Sequence, residues 1–217
     1  MERKYPSSHF SLLNHTQLER VLAWRNKPHI RQNMHQQDTI RLQQHLAWFE
    51  NLTNDPTRVF FVMEQNERPI GVLNFTLKSE NPLTLEWGCY LGEDDVWPGS
   101  GLLLEIAALE FAFTQTNAER LYAEVLSFNT SVLKLHKLFN YTPLEDGDII
   151  SRSGISHTVK RFEYTRIQWL TSKDELLARL PKQIAQAAHN ISFENEIEFF
   201  KRDAPSPTAK RDNEQDD

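Results

Sequence analysis

At 217 residues, 39% of them hydrophobic, the chain can bury one full core with an appendage to spare, and a net charge of −6 without a long basic run argues against a nucleic-acid or anionic-membrane partner. No apolar stretch approaches the ~18 residues of a membrane span, and no apolar signal region follows Glu2, Arg3 and Lys4, so a cytoplasmic protein acting on a small molecule is expected. The single cysteine, Cys89, excludes an internal disulfide, and none of the eight histidines falls in a metal-ligand spacing, so no metal is expected.

In chain order, His9 to Asn14 reads as a first strand, Thr16 to Asn26 as a helix and Pro28 to Met34 as a short second helical piece. Thr39 is placed to cap a helix running to about Leu52, with Leu42, Leu46 and Phe49 as its buried face. Arg58 to Glu64 and Pro69 to Leu77 are β-branched and aromatic runs joined by the polar link Gln65 to Arg68, the pattern of a hairpin. In the strand Leu83 to Leu91 the pleat sets Leu83, Leu85, Trp87, Cys89 and Leu91 on one face, and Thr84, Glu86, Gly88 and Tyr90 on the other. The helix from Gly101 to about Thr116 is apolar nearly all round, broken mainly by Glu105 and Glu110, and should be packed on much of its circumference. Leu121 to Asn129 is strand-like, and Thr130 to Phe139 has helical spacing with Val132, Leu135, His136 and Phe139 facing inward. Ile149-Ile150 and Lys160 to Trp169 supply two closing strands, with Ser151 to Thr158 as their connecting turn. Then comes Ser172-Lys-Asp-Glu175, read as a capping box, followed by a stripe of Leu176, Leu177, Leu180 and Ile184 kinked at Pro181. Glu194 to Phe200 is acidic and aromatic, and Asp203 to Asp217 has the composition of a disordered tail.

The stretch Trp97-Pro-Gly-Ser-Gly-Leu-Leu-Leu104 places two glycines at the start of an apolar helix. Glycines allow a close approach to a phosphate, and the helix N-terminus adds partial positive charge, so a pyrophosphate is held without a lysine. Glycine turn, helix, strand, Asn129 and helix follow in an order that resembles the GNAT superfamily of acetyl-CoA-dependent N-acetyltransferases, over roughly residues 8 to 168. Ala23-Trp-Arg-Asn26, Ile30-Arg-Gln-Asn-Met34, Ile70-Gly-Val-Leu-Asn-Phe75 and Tyr122 to Asn129 are similar to one branch, the N-acetyltransferases of the pseudaminic-acid pathway.

The resemblance implies an α+β fold: a twisted, mixed, seven-stranded sheet with helices on both faces, splayed between its fourth and fifth strands, here Leu83–Leu91 and Leu121–Ser127. The pantetheine arm of acetyl-CoA would enter that split. Backbone at Cys89, Tyr90 and Leu91 would pair with the arm and polarise the thioester, and Asn129 would bond the arm as well as cap its helix. Val96, Trp97, Gly99, Ser100, Gly101 and Leu102 would hold the pyrophosphate through backbone donors, because Val96 stands where the family prefers arginine or glutamine.

Acetyl transfer to an amine needs a neutral nucleophile, a polarised carbonyl and a proton for the leaving thiolate. Glu124 is the expected base, sharing a face with Tyr122 and Leu126, with apolar neighbours to raise its pKa; Glu86 is its rival. His136 stands where the family usually carries tyrosine and is the expected acid or thioester-positioning group. An acid role requires imidazolium and implies activity that falls above neutrality. Cys89 is not needed as a nucleophile. For the acceptor, the branch implies a UDP-linked 4-amino-4,6-dideoxy-N-acetyl-altrosamine. Arg25 and His45 match positions near the nucleotide, and Met34 with His35 match a pair lining the sugar's methyl pocket. Trp87 joins these substrate-side candidates, although it, Trp97 and Trp48 all suit packing.

The expected organisation is an acetyltransferase domain over 1–169, a helical extension over 170–202 and a tail over 203–217. The extension is a candidate for self-association as a homo-oligomer or for contact with another enzyme of the pathway. Two other readings stand beside this one: an N-terminal protein acetyltransferase, and a non-catalytic acyl-CoA-binding module.

Overall fold

The computed structural model describes residues 5–152 and 154–194. The chain runs β1 (Ser8–Leu12), a 3-10 turn (His15–Gln17), α1 (Leu18–Arg25), α2 (Pro28–Arg31), α3 (Leu42–Thr53), β2 (Arg58–Gln65), β3 (Arg68–Glu80) and β4 (Leu83–Leu91). It continues through α4 (Ser100–Glu110), which ends in a π-helical turn (Phe111–Gln115), then β5 (Arg120–Leu126), α5 (Thr130–Leu138), β6 (Thr142–Pro143), β7 (Ile149–Arg152), β8 (Ile155–Thr165), α6 (Arg166–Arg179), α7 (Lys182–Ala188) and β9 (Ile191–Phe193). The sheet order is β6-β8-β5-β4-β3-β2-β1-β9, with β7 paired to β8.

Among the described residues the sheet has nine strands rather than the expected seven; the additions are the two-residue β6 and the three-residue β9. β4 and β5 are parallel, β1 and β9 are parallel, and the other pairs are antiparallel. The β2–β3 hairpin turns at Asn66 and Glu67, both at positive φ (50° and 66°), the handedness that suits two twisted strands.

Helices cover both faces. On one, α4 to α7 share a core with Phe61, Leu73, Phe75, Leu85 and Trp87 of the sheet. On the other, Val21, Trp24 and Ile30 pack on Val62 and Val72, and Leu18, Phe49 and Leu52 form a smaller cluster. The expected alternation of β4 holds: Leu83, Leu85, Trp87, Cys89 and Leu91 all lie against the α4 core, while Tyr90 meets the α1–α2 side.

Several local expectations are corrected. The helix read from Thr39 begins at Leu42, because Arg41 is its N-cap and donates its backbone N–H to Gln44 Oε1 (2.8 Å), while the Thr39 hydroxyl accepts from Arg31. Its buried face is His45, Phe49 and Leu52; Leu42 and Leu46 are exposed. The strand read as Leu121 to Asn129 ends at Leu126, freeing Asn129 to cap α5. Ser151 to Thr158 is mostly strand, turning near Gly154 at φ 79°. The closing strand stops at Thr165, whose side chain caps the next helix, so Trp169 is helical and fully buried. Ser172 lies inside α6 rather than capping it, its hydroxyl bonded to the Gln168 carbonyl (2.6 Å). Pro181 separates α6 from α7 instead of kinking one helix.

The segment after Trp169 is not a loose appendage. Leu176, Leu177, Leu180, Ile184 and Ala187 belong to the main core, and β9 pairs with β1. The tail from Asp203 to Asp217, and all but Glu194 of the acidic aromatic stretch, lie outside the described residues. The buried side chains of Leu176, Leu177, Leu180 and Ile184 each contribute about 1.5–3 kcal/mol. A chain ended after Trp169 is therefore expected to aggregate or to lose more than 10 °C in thermal midpoint, measured by scanning fluorimetry against the full chain.

Candidate active site

β4 and β5 pair only from Thr84↔Arg120 to Glu86↔Tyr122. Beyond that point β4 stays with β3 as far as Leu91, and β5 stays with β8 as far as Leu126. The edges Trp87–Leu91 and Ala123–Leu126 thus diverge, leaving the expected split with unpaired backbone on either side. Aromatic bulk fills its base: His136 of α5 stacks on Tyr141 (4.3 Å between centroids) and lies 5.0 Å from Phe162 and 6.0 Å from Trp87. Asn129 caps α5, accepting from the Val132 N–H (3.5 Å).

The glycine turn sits at the mouth of α4. Gly99 has φ 120°, and a Cβ there would lie 2.1 Å from Ile184 Cδ1 and 2.8 Å from the Trp97 ring. At Gly101 nothing lies within 4 Å of the position a Cβ would take. No neighbour requires this glycine, so the open space fits a close approach by a ligand, as a pyrophosphate would make. Ser100 is spent internally: its N–H donates to the Trp97 carbonyl (3.0 Å), and its buried hydroxyl lies 2.8 Å from both that carbonyl and Gln65 Oε1. A helix start leaves its first N–H groups without intrahelical acceptors, so the donors offered to an anion are those of Gly101 and Leu102. Val96, Trp97 and Leu102 lean partly buried on the core and offer backbone only. The residues present fit acetyl-CoA.

Glu124 is more tightly engaged than expected. Its Oε1 accepts from the Tyr122 hydroxyl (2.6 Å) and from Arg161 Nε (3.1 Å), and its Oε2 lies 3.4 Å from His35 Nε2. Burial alone would raise its pKa, but the Tyr122 and Arg161 hydrogen bonds and the charges of His35 and Arg161 outweigh it and hold the carboxyl below its ordinary range. The expected upward shift is reversed, because hydrogen bonds and charges on the carboxylate outweigh its burial. Arg161 sits directly opposite Glu124 in the β5–β8 register. The rival, Glu86, is ion-paired with Lys78 (3.0 Å).

Behind the split lies a buried cluster. Glu105, 2% exposed, faces His136 Nε2 at 3.7 Å and the Tyr141 hydroxyl. Burial pushes Glu105 up to about 8 against a smaller pull from Tyr141, and pushes His136 down to about 4. At neutral pH His136 is therefore an uncharged ring, not the imidazolium that an acid role requires, and the expected fall in activity above neutrality loses its source. Burial also raises the Cys89 thiol far above its ordinary range, so it stays protonated and unreactive.

The acceptor-side residues divide. Met34 packs on the Val21–Trp24–Ile30 cluster, as does Tyr90. The loop after it is gripped by three arginines: Arg25 Nη2 donates to the Gln36 carbonyl (2.8 Å), Arg31 Nη1 to that of Gln37 (2.8 Å), and Arg152 of β7 to those of Met34 and His35. Arg25 thus holds the loop, although its Nη1 has no partner among the described residues. His45 is not brought to this loop: it is 4% exposed and stacked on Trp48 at 5.0 Å, its burial lowering its pKa. Trp87 is packed in the core. A cavity of about 340 Å³ lies beside the loop, lined by His35, Gln36, Gln37, Asp38, Ile150, Ser151 and Arg152.

Sequence reading missed Arg161, Arg152 and the burial of Glu105. The last had a local signal, a lone carboxylate inside an apolar helix; the arginines become partners only through strand pairing. Among the described residues no group of three or more His, Cys, Asp or Glu could hold a metal, and no helix is long and apolar enough to cross a membrane.

This split sheet with a glycine turn at a helix mouth defines an acyl-CoA-dependent acetyltransferase fold. The model of the acetyltransferase (GNAT) domain matches residues 10–139, and the chain belongs to that family, as an acetyl-CoA-dependent N-acetyltransferase. It is 32% identical over 136 residues, 61% of this chain and 82% of the relative, to Acetyltransferase PseH of Campylobacter jejuni strain 81-176, and equally to that of strain NCTC 11168. Among solved structures it is similar to apo FdhC, a nucleotide-linked sugar GNAT (TM-score 0.62, 16% identity, 79% of this chain and 94% of that one). It also resembles spermidine N-acetyltransferase from Vibrio cholerae in complex with CoA and spermine (TM-score 0.69, 17% identity, 76% and 98%).

Two outcomes follow. Gly101→Ala should leave the unfolding midpoint within about 1 °C while weakening coenzyme A binding roughly tenfold or more, whereas Gly99→Ala should cost more than about 1 kcal/mol of stability; calorimetric titration and thermal unfolding separate the two. Glu105 binds its proton more tightly folded than unfolded, so its contribution is fully present below about 4.5 and is lost as pH rises through about 8. The stability advantage of Glu105→Gln over the parent should therefore grow between pH 5 and pH 8, by on the order of 2–4 kcal/mol in urea unfolding.

Proposed function

We propose that the enzyme moves acetyl from acetyl-CoA to the 4-amino group of a UDP-linked 4-amino-4,6-dideoxy-N-acetylhexosamine of the altrosamine type, on the way to pseudaminic acid, by direct attack of the amine. The observation that carries this is the 32% identity over 136 residues to the PseH acetyltransferases. The likeness to a nucleotide-linked sugar GNAT agrees with it at the level of fold.

When bound, acetyl-CoA supplies the thioester electrophile. The N–H groups of Gly101 and Leu102 and the dipole of α4 receive its pyrophosphate, the unpaired edge from Cys89 to Leu91 aligns its arm, and Asn129 bonds the arm from the opposite strand. The neutral ring of His136, with Trp87 and Phe162, forms the apolar floor that positions the acyl group and keeps water from it. On the acceptor side, Met34 offers a soft surface to a deoxy-sugar methyl, and the arginine-held loop with its cavity receives the sugar. Glu124 keeps a negative charge on the acceptor side of the split, against His35. Arg25 has one unpartnered nitrogen to turn toward a diphosphate.

A thiol-release assay with acetyl-CoA checks this. The UDP-4-amino sugar should be turned over with kcat/KM at least a hundredfold above a panel of N-terminal peptides. Glu124→Gln should lower kcat ten- to a hundredfold, and His136→Phe should leave the pH profile unchanged. Preference for peptides would make the enzyme a protein N-terminal acetyltransferase, and coenzyme A binding without turnover of any amine would make it an acyl-CoA-binding module.

A further inference from the structure

An amine bound beside the thioester must surrender a proton as its nitrogen acylates, and the groups around the split differ sharply in their ability to take it. His136 is 1% exposed and sealed among Trp87, Tyr141 and Phe162. Glu105 is buried behind it. Glu86 is occupied by Lys78 and lies where β4 and β5 are still paired. Glu124 accepts hydrogen bonds from Tyr122 and Arg161 on Oε1 and faces His35 with Oε2, and these neighbours favour the charge it already carries.

His35 differs from all of them. Its side chain is 59% exposed, its Nε2 lies 3.4 Å from Glu124 Oε2, and it lines the cavity of about 340 Å³ between the acceptor loop and β7. The loop does not hold it by chance: Arg152 donates to the His35 and Met34 carbonyls, and Arg25 and Arg31 grip the two residues that follow. An imidazole whose Nε2 faces a fixed carboxylate is favoured as the Nε2–H tautomer, which leaves its Nδ1 lone pair as acceptor.

We propose that His35 is the general base of the transfer, and that Glu124, itself fixed by Tyr122 and Arg161, is the positioning residue that sets its tautomer and stabilises its charged form. This deepens the function proposed above and rests on it. As the amine nitrogen attacks, the C–N bond forms and the C–S bond breaks. The amine proton passes to Nδ1 of neutral His35, giving an imidazolium paired with Glu124. The exposed ring then returns that proton to solvent, and the thiolate leaves as thiol by taking one from solvent. No net proton is gained or lost when the amine arrives neutral. The charged and titratable groups facing the ring's surroundings are Glu124 and Tyr122 from β5, Arg161 from β8, Arg152 from β7 and Asp38 from the loop itself.

The test uses the full chain with acetyl-CoA and the UDP-4-amino sugar, with spermidine and an N-terminal peptide run beside it. His35→Ala should lower kcat about a hundredfold, with the acetyl-CoA dissociation constant and the unfolding midpoint unchanged, and added imidazole should restore at least tenfold of the lost rate. His35→Ala with Glu124→Gln should be no slower than His35→Ala alone, because Glu124 acts through the ring. A kcat within threefold of the parent for His35→Ala, a lack of imidazole rescue, or multiplicative losses in the double variant would each overturn the proposal, the last returning the proton to Glu124. If the parent acetylates spermidine or the peptide and not the sugar, the acceptor reading fails, and the same comparison on that amine still decides the role of His35.

Discussion

The structure depends on an interruption: two parallel strands that begin as partners and part after three residue pairs. Backbone groups in a sheet normally find each other, and a gap inside one is stable only if something else occupies or excuses it. Here α5 drives a ring into the opening, with Tyr141 stacked behind it and Trp87 and Phe162 alongside. The carboxylate of Glu124 lies on the receding strand, beyond the last pair that joins β4 to β5.

Charge is partitioned across the sheet. On the α4 side, titratable groups are stripped of water and driven neutral, Glu105 by a rise to about 8 and His136 by a fall to about 4. On the acceptor side, Glu124 is wrapped in donors and kept ionised. A thioester would thus meet an uncharged wall and an amine a polar one, which suits a reaction joining an acyl carbon to a nucleophile that must be uncharged when it attacks. The same partition makes a cysteine relay unneeded, since Cys89 lies on the apolar side with its thiol held protonated.

Much of this was legible in the amino acids, and the exceptions share a cause. β4 was read residue for residue because its period-two alternation is long and one of its faces is wholly apolar. The glycine turn, α5 and the β2–β3 hairpin were visible because their signals are local. α3 was misread on its buried face because a histidine takes an interior place beside Trp48 while two leucines at equivalent spacing face outward. The closing strand was drawn too long because an apolar alternation continues past Thr165, whose hydroxyl nonetheless starts a helix. The charge state of Glu124 has no local signal: Arg161 becomes its neighbour through antiparallel register, and His35 through the packing of a distant loop, neither of which has a spacing to read.

The contact between Gly99 and Ile184 ties the two ends of the design together. The room left by the missing side chain in the turn is taken by a methyl group from α7, close to the end of the described chain. During synthesis the glycine turn therefore emerges long before its buttress, and a ribosome must deliver α7 before the turn is braced. A nascent chain paused after β8 would have the strands of the split in hand and still lack the methyl group that fills the space beside Gly99.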